Sequence, residues 1–246
     1  MMQSARITFL ISALLISLNS FGFKDNRQFA KGDVVYVHSM SGLSLRKVPN
    51  ARAGRQAIMP YAAKMTVASR PNLEKTLVAE NIRGYWIEVD YNGIKGYAFT
   101  GFVSRFPAPK NKSMSDYLSL LERSGFSDAK YAIDSTPRSE TSGPSSNISL
   151  SLVNADILDG FLIARRLFGI PDSLKLPEYQ LNLKMTIDDP EKPAELHSRK
   201  LTIEIKKNGK PTSIVLRTRK QGSGSDRTIL VTGDNTLKLT IVDFSD

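Results

Sequence analysis

The stretch from Gly84 to Phe102, reading GYWIEVDYNGIKGYAFTGF, constrains this chain more than any other. Two runs rich in aromatic and β-branched residues flank Asn92-Gly93, a dipeptide that accepts the positive φ values of a tight hairpin turn. A period of two puts Ile87, Val89 and Tyr91 on one face and Trp86, Glu88 and Asp90 on the other. Past the turn, Tyr97 and Phe99 share parity, and Gly96 leaves room for a neighbouring backbone. The stretch is a β-hairpin by pattern, and the rest of the chain must supply strands for it to pair with.

Those strands are short. Val34-Val35-Tyr36-Val37 reads as the first and Leu43-Ser-Leu-Arg46 as the second, with an irregular loop from Lys47 to Gly54. Ala57-Ile-Met-Pro60 leads through Tyr61 to another strand, Met65-Thr-Val67, and Ser69 to Asn81 reads as a long polar excursion. Several short strands separated by turn residues, from about Lys31 to Phe106, predict a small all-β barrel or sandwich.

The ordered set Gly42-Leu-Ser-Leu-Arg46, Met59-Pro-Tyr61, Met65-Thr-Val67, Gly84-Tyr-Trp-Ile-Glu-Val89, Asn92-Gly93, Gly96-Tyr97 and Gly101-Phe102-Val103 resembles the bacterial SH3-like domain. The resemblance covers nearly all of residues 32–104. Two positions depart from the family pattern: Ala62 or Ala63 stands where a Gly is usual, and Tyr97 replaces the second Trp. The resemblance implies a non-catalytic module of exported bacterial proteins, directed at peptidoglycan, a peptide or another envelope ligand. Candidate ligand-binding residues are Trp86, Tyr61, Tyr97 and Tyr91. Each is either a groove residue or part of the core, since Tyr and Trp suit both roles. Trp86 lies out of phase with Ile87 and Val89, which predicts partial exposure.

Composition narrows the chemistry. The 246-residue chain has no cysteine, which excludes disulfides, thiolate metal sites and a cysteine nucleophile, and with it the papain-like peptidases that often accompany such modules. His38 and His197 are the whole supply of imidazole, and Glu195-x-His197 is far from a His-Glu-x-x-His pattern. No metal and no cofactor are expected. At the N-terminus, Arg6 precedes an almost wholly apolar run from Ile7 to Leu18, and Ser20-Phe21-Gly22 places small residues before a cut after Gly22, or alternatively after Ser20. Residues 1–22 therefore read as a signal peptide, retention as an anchor being the alternative. The expected location is periplasmic or extracellular. A net charge of +10 suggests acidic partners or simply solubility; for an exported chain, an anionic envelope polymer or lipid is the expected partner, and nucleic acid is not.

Beyond the barrel, residues 107–146 read as a short helix and a linker. Phe106-Pro-Ala-Pro-Lys110 stops the barrel, Ser113 or Ser115 caps a helix running to Gly125, and Tyr117, Leu118 and Leu121 share its face. Ser135 to Ser146 has linker composition. The second domain, 147–246, is predicted as α+β, with one main helix on an antiparallel sheet. Its helix runs from Asp156 to Phe168, with Asp156 and Asp159 at its positive end and Gly169 and Pro171 as stops. Arg165-Arg166 in its last turn reads as a solvated face. Strands are predicted over Ile148–Val153, Leu181–Ile187, Leu201–Lys206, Ser213–Arg219, Thr228–Val231 and Leu237–Val242, while Gly222-Ser-Gly-Ser225 reads as a flexible hairpin tip and Asp188-Asp189-Pro190 as a turn. Alternation turns Lys200, Thr202, Glu204 and Lys206 outward, and the Asn208-Gly209 turn brings Arg217 and Arg219 beside them. Lys206, Arg217 and Arg219 are the candidate anionic-partner patch. The functional reading is a binding or scaffold protein of the bacterial envelope. The alternative is an envelope enzyme, a carboxylate-based glycan hydrolase with its site in the second domain, for which no facing pair of acids stands out.

Overall fold

The computed structural model describes residues 23–134, 146–172, 174–176, 184–188, 197–205, 211–220, 223–232 and 236–245. The expected signal peptide, residues 135–145 of the expected linker, Lys206 and the turns at Asn208-Gly209 and Gly233-Asp-Asn235 lie outside the described residues. Among the described residues the architecture is mostly antiparallel β-sheet with two α-helices.

The first sheet contains β1 (Phe23–Lys24), β2 (Val34–Val37), β3 (Leu43–Arg46), β4 (Arg55–Met59), β5 (Lys64–Val67), β6 (Asn72–Ala79), β7 (Ile82–Tyr91), β8 (Ile94–Phe99) and β9 (Val103–Ser104), with a single 3₁₀ turn over Thr100–Phe102 before β9. Its order is β4-β3-β8-β7-β5-β2-β9, with β1 and β6 also on β7. The predicted hairpin is β7–β8, and Asn92 and Gly93 take φ values of 53° and 83°. Gly96 earns its place: a Cβ there meets the Arg46 carbonyl oxygen at 2.8 Å.

Two expectations are corrected here. The ladder is an open sheet and does not close into a barrel, because the path ends on β4 at one side and on β9 at the other. β9 is only two residues long, and Pro107 and Pro109 just beyond it have no N–H to extend a ladder. The polar excursion is also no loop: β6 folds back on β7 through Glu80-Asn81, both in the left-handed region at φ 49° and 62°. Its side chains are nearly all exposed, so no apolar alternation marks it.

Helix α1 (Met114–Arg123) begins at Ser113, whose hydroxyl accepts from the Asp116 N–H, and stops at Gly125 with φ 91°. Tyr117 and Leu121 are buried, as expected. The second sheet comprises β10 (Lys130–Asp134), β11 (Ser146–Val153), β12 (Lys184–Asp188), β13 (His197–Ile205), β14 (Pro211–Lys220), β15 (Ser223–Val231) and β16 (Thr236–Ser245), in the order β10-β11-β16-β15-β14-β13-β12. β10 was not anticipated. The described part of the supposed flexible tip, Ser223 to Ser225, is strand paired to both β14 and β16.

Helix α2 (Ile157–Leu167) covers one face of this sheet, as predicted, lying on β14, β15 and β16. Asp156 and Asp159 form a reciprocal capping box at its start. Gly160 lets the helix approach: a Cβ there meets Ile229 at 2.5 Å and Leu237 at 2.8 Å. Buried side chains from both sheets join one apolar cluster running from Phe29 through Val103 and Leu121 to Leu239. Arg165 is therefore not solvated. It is buried, reaching back to Glu80 at 3.1 Å and to Asp172.

Candidate functional site

Among the described residues, polar and aromatic side chains gather in a recess on the first sheet and at the seam between the sheets. The recess has a volume of about 170 Å³ and is built on the outer face of β7 and β8. Register places Glu88 opposite Tyr97 and Trp86 opposite Phe99, while Asn72 of β6 lies opposite Trp86 on the other side. Pro49 and the Ser69–Asn72 corner complete its rim, with Arg70 and Lys75 exposed beside it. Glu88, Arg70 and Lys75 make no ion pair with another described residue. The recess thus offers two cations, one carboxylate and the Tyr97 ring to whatever enters it, with Trp86 almost buried in its wall.

Of the four aromatic candidates, the recess unites Trp86 and Tyr97. Trp86 does not have the predicted exposure; it is 6% exposed. Its phase was read correctly, since Ile87 and Val89 are fully buried on the opposite face, but Trp86's own face is closed by β6 and by Phe99, whose ring lies 6.2 Å away. Tyr91 shares parity with Ile87 and Val89 and so sits on the other face of β7. Tyr61 is elsewhere. Its hydroxyl donates to the Pro109 carbonyl at 2.7 Å, and burial raises its pKa to about 12.

The seam is organised by Arg27, in the segment between β1 and β2. Its Nε and Nη2 donate to the two oxygens of Asp25 at 2.8 and 2.9 Å. Nη1 donates to Asp159 Oδ1 at 2.8 Å and to the Val103 carbonyl at 2.6 Å, and Nη2 donates also to the Thr100 carbonyl at 2.8 Å. All donors of the guanidinium are engaged. Burial works against its charge, but the carboxylates of Asp25 and Asp159 outweigh that and hold its pKa above the usual value. Asp159 also accepts from the Ser104 hydroxyl at 2.7 Å. The capping acid of α2 is thereby tied to both β9 and the N-terminal segment. The sequence showed Asp159 as a helix-start residue, but nothing in it paired Asp159 with Arg27.

His38 sits in the same seam, fully buried, with Nε2 donating to the Phe106 carbonyl at 3.0 Å when that nitrogen carries the proton. Nδ1 makes no hydrogen bond with a described residue. Burial lowers the His38 pKa to about 4, against the opposing pull of the Phe106 carbonyl and Asp159. Ser104, His38 and Asp159 are thus neighbours, yet Ser104 donates to the carboxylate and the imidazole to a carbonyl. The nucleophile-to-base hydrogen bond of a Ser-His-Asp catalytic set is not made. Among the described residues, no three His, Asp or Glu side chains gather as metal ligands would.

The predicted anionic-partner patch is altered by a residue not weighed in advance. Arg217 and Arg219 do share the outer face of β14, but Asp226 of β15 lies between them, 3.6 Å from Arg217 and 2.7 Å from Arg219. Arg219 also covers the Phe244 ring at 4.8 Å, a contact made across Gly224. Thr202, expected to face outward into solvent, is buried beside Thr186 at 3.2 Å. No helix among the described residues is long and apolar enough to cross a membrane. Comparison of the chain with protein-family models, with curated proteins and with solved structures gives no match.

Proposed function

We propose that this chain is a non-catalytic binding protein of the bacterial cell envelope, in which an SH3-like region, residues 31–106, recognises a peptide of peptidoglycan or of an envelope protein. The observation that carries the reading is the meeting of Trp86, Glu88 and Tyr97 around one recess whose charged groups have no described partner. Paired charges hold structure; unpaired charges of both signs beside aromatic rings suit a peptide that carries both signs itself. The apolar run before Phe23 supports export, and a mature chain beginning at Phe23 or Phe21 goes with this reading. The alternative envelope enzyme has no comparable support, since Asp156 and Asp159 are occupied with capping α2 and holding Arg27.

Retention of the purified chain on cell-wall sacculi tests the proposal. Tyr97→Ala should weaken retention by roughly tenfold, the loss of about 1.4 kcal/mol expected for a ring at the edge of a contact. Glu88→Gln should weaken it less and reduce its dependence on salt. Trp86→Ala is unsuited to this purpose, because a side chain this buried is lost at a cost of about 3–5 kcal/mol to folding. Equal retention of wild type and Tyr97→Ala, or none by the wild type, rejects the recess. Edman sequencing of the protein from its native cells tests export separately, and recovery of an intact Met1 in the cytoplasmic fraction rejects it.

A further inference from the structure

A separate cavity of about 240 Å³ opens where four stretches of chain meet at the seam. The N-terminal segment brings Phe29, the exit from β9 brings Arg105 and Phe106, the turn after α1 brings Phe126 and Asp128, and the corner between β11 and α2 brings Asn154. Its inner end is fixed. Arg27 has no donor to spare there, and Phe29 is held between two guanidinium groups, Arg27 at 5.5 Å and Arg105 at 5.1 Å from the ring centre. One wall is apolar, with the ring of Phe126 stacked on that of the buried Phe106 at 4.7 Å between centroids and 34° between planes. Arg105 at the mouth is already paired with Asp33 at 2.7 Å. The carboxylate of Asp128 and the side-chain amide of Asn154, both at exposed positions, make no hydrogen bond or ion pair with a described residue.

We propose that this cavity is a binding site for a single sugar ring, independent of the recess on the first sheet. Its volume lies below the roughly 300–1,000 Å³ of drug-sized sites, so the occupant is small. The part-buried ring of Phe126 in the lining suits the C–H face of a pyranose. A planar carboxylate and a planar amide together offer acceptors and donors to neighbouring hydroxyl groups, which a purely apolar ligand leaves unused. A pre-formed inner end means that little ordering is needed on binding. Junctions between structural layers are also where small-ligand sites concentrate.

The test is an amide-resolved NMR titration of the full chain with N-acetylglucosamine and, separately, with methylammonium chloride. The sugar should give saturable shifts at millimolar concentration in residues 125–129 and 152–156. Two variants remove the polar edge without touching the buried seam. Asn154→Gly suits the positive φ of 58° at that position, and Asp128→Ala alters an exposed side chain. At least one of them should weaken sugar binding fivefold or more. Saturation by methylammonium with none by the sugar shows an ammonium site and overturns the assignment. So do shifts centred on Trp86, sugar binding unchanged in both variants, or the absence of any saturable shift.

Discussion

The seam and the recess treat charge in opposite ways. At the seam, Asp25, Arg27 and Asp159 are buried and every donor of the guanidinium is matched. At the recess, Glu88, Arg70 and Lys75 stand near solvent with no described ion-pair partner. Buried charges must be satisfied or they oppose folding, so the seam is fully committed to holding the two sheets together. Exposed charges carry no such demand and remain available. The difference separates charges committed to holding the molecule together from charges left without a described partner, and charge alone does not reveal it.

The largest effect expected from breaking this contrast is at Arg27. Arg27→Ala strands two carboxylates in the interior and should cost about 3–5 kcal/mol in urea unfolding. A loss below 1 kcal/mol shows that the seam is wetter than its burial indicates. Next comes acid. His38 has a folded pKa of about 4 against 6.5 when free, so the unfolded chain binds the extra proton first. Its contribution is complete above pH 6.5 and is lost as pH falls toward 4, by about 3 kcal/mol in all. Burial raises the Asp156 pKa, an effect of opposite sign that enters only near the carboxylate range. His38→Gln should flatten the stability profile between pH 7 and 5, and an unchanged slope assigns the acid sensitivity to other groups. On the outer face of the second sheet, the double change Arg217→Gln with Arg219→Gln should cost under about 1 kcal/mol, since these pairs are 45% and 41% exposed at the arginine side chains. Smallest of all, Glu88→Gln should leave stability within about 0.5 kcal/mol while altering binding. A large stability loss there makes the recess a structural feature and ends the contrast.

The parts readable in advance were those governed by short-range rules. Asn92-Gly93 made its turn, Ser113 and Asp156 made their caps, and alternation placed Leu201, Ile214 and Leu216 in the core. Where two segments distant in sequence meet, local pattern fell short. Arg27 and Asp159 are 132 positions apart, and Phe23 to Ala30 carried no periodicity to announce its place in the seam. Trp86 was misjudged for the same reason, because the strand covering it is itself polar and exposed. Ala62, one of the two alanines expected to stand where glycine is usual, holds a φ of 63°. That alanine carries a backbone that glycine adopts more easily. Of the four aromatic candidates, Trp86 and Tyr97 come together around one recess, because cross-strand parity in a hairpin is a local property.

One feature of the second sheet bears on how the protein is made. β16 is the last of the described strands, yet it lies inside the sheet, hydrogen-bonded to β11 on one side and to β15 on the other. Until it emerges, the strands before it cannot join those after α2, and the helix has no finished surface to rest on. Assembly of the described sheet is therefore completed only once β16 has been made, and its pairing with β11 is the longest in sequence of the described strand pairings. A nascent chain arrested before Thr236 should expose the apolar side of α2 to chaperones, whereas the first sheet, complete by Ser104, is free to form long before.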